Sequence, residues 1–90
     1  MKITTKKKKD GHRYFYLGNE YIAFYTIREE KADIRLSKLH FDIDYDGIII
    51  TKREVAEREK DVKEFLEKTI PSKDLATVIM NYLKKDFHLL

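Results

Sequence analysis

The chain has no cysteine and no tryptophan, and only one proline and three glycines among its 90 residues. Without cysteine there is no disulfide framework, no thiolate zinc site and no thiol nucleophile. The unbroken apolar stretches, such as Gly47 to Ile50, fall far short of the roughly 20 residues a membrane-spanning helix needs. Gly-rich phosphate loops and nucleophile elbows are missing too, so no catalytic residue and no cofactor is expected. Met1-Lys2-Ile3-Thr4-Thr5 leads into four lysines instead of an apolar signal core, and the expected location is cytoplasmic.

What is present suits one small folded unit. Six tyrosines and five phenylalanines, within a hydrophobic fraction of 42%, can fill a modest core, and two separate cores in so short a chain would each bury too little surface. Charge is unevenly spread. Residues 1–13 carry six basic side chains against Asp10, a local +5, whereas the remaining 77 carry 13 basic against 15 acidic, −2. The pI near 9.0 therefore belongs to the N-terminal segment. Residues 1–11 read as a flexible basic arm closed by the turn dipeptide Asp10-Gly11, and residues 12–90 as a single domain.

Two aromatic and β-branched runs, His12–Leu17 and Tyr21–Arg28, flank Gly18-Asn19, which predicts a β-hairpin with a two-residue turn. Strict pairing about that turn sets Tyr16 against Tyr21, Phe15 against Ile22, Tyr14 against Ala23 and Arg13 against Phe24. Side-chain alternation then places Phe15, Leu17, Ile22 and Phe24 on one face and His12, Tyr14, Tyr16, Tyr21 and Tyr25 on the other. A phenylalanine face has to be buried, whereas tyrosine can keep its polar tip in water. Ala32–Ser37 reads as a third strand. The shift in apolar parity at Leu39, Phe41 and Ile43 predicts a bulge near Ser37-Lys38, and Asp44-Tyr45-Asp46-Gly47 a turn into a fourth strand at Ile48–Ile50.

Thr51-Lys52-Arg53-Glu54 has the capping-box spacing, and Val55, Val62, Phe65, Leu66 and Ile70 form the apolar stripe of a helix that Pro71 ends. Ser72 then caps a second helix with Leu75, Val78, Ile79, Tyr82, Leu83 and Phe87 on one side. The expected fold is α+β: a four-stranded antiparallel meander followed by two C-terminal helices packed on its phenylalanine face.

Asp42-Ile43-Asp44-Tyr45-Asp46-Gly47-Ile48-Ile49 resembles the first eight positions of an EF-hand calcium loop, which implies a cation held by Asp42, Asp44 and Asp46. The position that should supply a bidentate glutamate is Arg53, and a hairpin turn uses the same Asp and Gly residues without metal, so no metal site is expected. His40, Asp42 and Asp44 alternate along the chain as an acid/base pair would, but they have no second histidine nearby. The segment around Pro71 lacks the glycine of a helix-turn-helix, and its second helix is too apolar to read bases. The remaining candidate is a binding face made by Tyr14, Tyr16, Tyr21 and Tyr25 beside Lys6, Lys7, Lys8, Lys9 and Arg13. The residue types lead to a non-catalytic module for a protein partner, an inhibitor or accessory factor or a second copy of the chain. The alternative is single-stranded nucleic acid, with rings stacking bases and cations meeting phosphates. Neither a membrane nor a small-molecule substrate is indicated.

Overall fold

The computed structural model describes residues 2–42 and 47–90. The chain is α+β, with an antiparallel sheet in the order β1-β2-β3-β4-β5 and mainly C-terminal helices. The strands are β1 Ile3–Lys7, β2 His12–Leu17, β3 Glu20–Arg28, β4 Lys31–Leu36 and β5 Ile48–Thr51. The helices are α1 Lys38–Phe41, α2 Lys52–Glu57, α3 Glu59–Thr69 and α4 Lys73–Asp86. By contacts, residues 1–49 and 50–90 form two compact units. No helix among the described residues is long and apolar enough to cross a membrane.

The sheet has one strand more than expected, because Ile3–Lys7, read as part of an arm, is strand β1. It pairs antiparallel with β2 from Ile3 opposite Leu17 to Lys7 opposite Arg13. Lys9-Asp10-Gly11 forms the connection: Gly11 N–H donates to Lys8 C=O, and the Asp10 carboxylate accepts from His12 N–H at 2.9 Å. Lysine is a weak strand former, yet it suits a sheet edge, where its charge opposes pairing with another chain.

β2 and β3 turn at Gly18-Asn19, where Gly18 takes φ 64°, the conformation that the first central position of a type II′ turn demands. Leu17 faces Glu20 and Tyr16 faces Tyr21, but Phe15 then faces Ala23, and Ile22 is the extra residue of a β-bulge. The bulge reverses the facing of everything beyond it on β3. Ile22 and Ala23 are both buried, Tyr25 turns inward at 1% exposure, and Phe24 turns outward. The expected assignments of Tyr25 and Phe24 are therefore exchanged, because strict alternation holds only while the pairing has no insertion. Beyond the bulge, Ala23, Tyr25 and Ile27 align with Leu36, Ile34 and Ala32 of β4. Phe15 meets Tyr25 at 5.7 Å between ring centroids.

After β4 the predicted strand with a bulge is replaced by α1, a single helical turn. Ser37 caps it by accepting from His40 N–H, and Asp42 ends it at φ 52°. Leu39 is consequently 96% exposed. The predicted Asp44–Gly47 turn and the calcium-loop resemblance lie outside the described residues except at Asp42 and Gly47–Ile49.

In residues 50–90 the capping box is complete, Glu54 N–H donating to Thr51 Oγ1 and Thr51 N–H to Glu54 Oε1. The single helix expected up to Pro71 is broken at Arg58, which has φ −133° and ψ 44°. Neither Gly nor Pro marks the break. It falls in the charged run Glu57–Asp61, which supplies no buried side chain between Val55 and Val62. Ser72 caps α4 by accepting from Leu75 N–H, and α3 packs on α4, with Val62 and Leu66 of α3 and Leu75, Ile79 and Leu83 of α4 buried.

Candidate functional site

The bulge assembles a four-ring cluster on the more open face of the sheet. Tyr14 and Phe24 are cross-strand partners, with ring centroids 5.4 Å apart and planes within 20°. His12 stacks 6.0 Å from Tyr14 and lies tilted 5.4 Å from Phe24. Tyr21 meets Tyr14 at 6.1 Å and Phe24 at 6.2 Å. Without the extra residue at Ile22, Phe24 would lie on the side opposite Tyr21. All four rings are half-exposed, as is Tyr16. Together they make a partly exposed aromatic surface that includes two phenols.

Cations flank the rings in register. Across four strands, Lys6, Tyr14, Phe24 and Arg35 form one row, and Lys8, His12, Thr26 and Asp33 the next, the Lys8 place following from the Lys8 N–H to His12 C=O bond. Lys8 Nζ stands 4.3 Å from the Tyr14 ring centroid, a cation–π contact that holds positive charge over the cluster. At the other end of the first row, Arg35 binds the Asp33 carboxylate through Nε and Nη2, both at 3.0 Å. A cleft of about 700 Å³ opens here, with His12, Tyr21, Phe24 and Thr26 in its wall and Arg28, Lys31 and Arg35 around it.

Two polar groups in the cluster are drawn away from solvent. The Tyr21 hydroxyl is held above its ordinary value of 10.0, first by burial and then by repulsion from the neighbouring Tyr14 and Tyr16 phenols. His12 Nδ1 is shut off from solvent 3.2 Å from Asp10 Oδ1, close enough for an ion pair but not aligned as a hydrogen bond. That carboxylate oxygen already accepts from the His12 backbone.

Among the expected binding residues, the structure brings together Tyr14, Tyr16, Tyr21, Lys6 and Lys8. Lys7 alternates to the other face opposite Arg13, and Lys9 lies in the turn. Tyr25 and Arg13 are not on this face: Tyr25 is buried, and Arg13, 7% exposed, donates to Thr5 Oγ1 at 3.4 Å. His40 is likewise committed, its Nδ1 lying 3.1 Å from Glu20 Oε1 and its ring edge-on to Phe41. Comparison with known proteins returns no match: no family model, no curated protein and no solved structure.

Phe24, Arg28, Lys31 and Arg35 were not legible as site residues. For Phe24 the bulge shows only in the structure, in the burial of both Ile22 and Ala23 after an outward Tyr21. The cations of β3 and β4 required the inter-strand register. The expected meander implies that β3 pairs with β4, but not the register that sets Arg28 against Lys31 and Phe24 against Arg35.

Proposed function

We propose that this protein is a non-catalytic module that binds single-stranded nucleic acid across the aromatic face of its sheet. The observation that carries the reading is the row Lys6, Tyr14, Phe24, Arg35, in which two stacked rings lie between cations on neighbouring strands. Bases stack on such rings whatever their sequence, while flanking Lys and Arg meet the phosphates. Residue types alone favour a protein partner. The position of Lys8 over Tyr14 reverses that order, because a protein interface depletes lysine at its centre.

The test is fluorescence anisotropy with a labelled oligothymidylate of about ten nucleotides. Tyr14→Ala and Phe24→Ala should each weaken binding roughly 5- to 150-fold, the equivalent of one lost stacking contact. Tyr25→Phe, an interior change, should leave affinity alone. Absence of oligonucleotide binding, or wild-type affinity in both Tyr14→Ala and Phe24→Ala, overturns the reading and returns the face to a protein partner.

A further inference from the structure

The turn joining β3 to β4 breaks two local rules at one place. Glu29 and Glu30 occupy its central positions at φ 50° and 62°, the left-handed region that two-residue hairpin turns normally fill with Asn and Gly. On either side of them Arg28 and Lys31 are direct cross-strand partners, an arrangement in which like charges repel. Among the described residues neither forms an ion pair. Of the four charged side chains of this turn, Arg28, Glu29 and Lys31 line the cleft and Glu30 does not.

A sequence that departs from local preference at one spot marks a site where function outweighs stability. An anion seated between Arg28 and Lys31 removes the repulsion. His12 aligns with Thr26, two residues from Arg28, so its ring lies about 7 Å along the strands from the Arg28–Lys31 pair. That is within reach of a nucleotide whose base lies on a ring and whose phosphate lies on the pair.

We infer that the Arg28–Lys31 end of the cleft is a phosphate subsite for a nucleotide whose base stacks on His12 and Phe24. The subsite rests on the nucleic-acid reading and deepens it, since it gives the bound strand a fixed phosphate position at one end of the face. It also predicts that free mononucleotides bind, which a stacking row alone does not require.

The experiment titrates 5′-AMP, adenosine and inorganic phosphate into the full chain, following backbone amide shifts. AMP should bind about tenfold tighter than adenosine, the equivalent of one charge-assisted hydrogen bond, shift residues 26–31 and His12, and be displaced by phosphate. Arg28→Gln with Lys31→Gln should erase the AMP preference and keep the adenosine affinity. Because this variant loses a like-charge pair, its melting temperature should not fall, which separates lost binding from lost folding. Equal affinities for AMP and adenosine, or a preference that survives in the variant, overturn the subsite. A chain that binds the oligonucleotide but no mononucleotide overturns the subsite and leaves the strand-binding reading standing. A chain that binds AMP through this pair but no oligonucleotide supports the subsite and overturns the strand-binding reading.

Discussion

Tyr21 shows how a single side chain reports on the site. Its hydroxyl is partly buried among Tyr14 and Tyr16, and its ionisation lies above 10.0. The folded chain thus keeps this proton at pH values where the unfolded chain has lost it. Its contribution to stability is fully present below about 10 and is lost as pH rises through the raised value. Tyrosinate absorbance followed against pH should show Tyr21→Phe removing a phenol from the high end of the titration, and an unchanged curve would refute this. Gly47 makes a second residue-scale case. It has φ 95°, and a Cβ there would stand 2.9 Å from Arg35 Nε and 3.1 Å from Asp33 Oδ1. Gly47→Ala should destabilise the chain by about 1 to 2 kcal/mol in denaturant unfolding, with the Arg35–Asp33 pair displaced.

Among the elements, the three hairpin connections differ in how openly the residues declare them. Gly18-Asn19 is a turn by chemistry, and Asp10-Gly11 is as well, although the lysines before it disguise β1 as an unstructured segment. Glu29-Glu30 reads as a charged loop but not as a tight two-residue turn, because glutamate disfavours the positive φ found there. Glu29→Asn with Glu30→Gly should therefore stabilise the chain by about 1 kcal/mol, a rise of roughly 4–8 °C in melting temperature for a chain of this size. No rise would mean that the strain is relieved elsewhere. Helix ends were the most legible features of all. Thr51 and Ser72 both cap as their spacing requires, since a cap is a contact within four residues and needs no distant partner. The break at Arg58 left no such mark.

For the molecule as a whole, the charge distribution becomes meaningful only once β1 is paired. The lysines that make residues 1–13 basic are not a free arm: Lys6 and Lys8 lie on the ring face, and Arg28 and Lys31 extend that cationic border on the far side of the cleft. If these four meet phosphates, the affinity for single strands should fall by roughly 50-fold between about 50 and 200 mM salt. Affinity independent of salt would rule out phosphate contact by these side chains. Replacing Lys6 and Lys8 with alanine should halve the logarithmic slope, as should replacing Arg28 and Lys31.

The residues by themselves determined the α+β class, the order of strands before C-terminal helices, the Gly18-Asn19 corner and both helix caps. Each depends on propensity, periodicity or a contact close in the chain. Tertiary pairing alone decided that Ile3–Lys7 is a strand, that Ile22 is inserted into the ladder, and hence that Phe24 looks outward and Tyr25 inward. One inserted residue changes which side every later residue faces, and whether it is inserted depends on how Phe15, Ala23 and Leu36 align across three strands. Local sequence carries no information about that alignment.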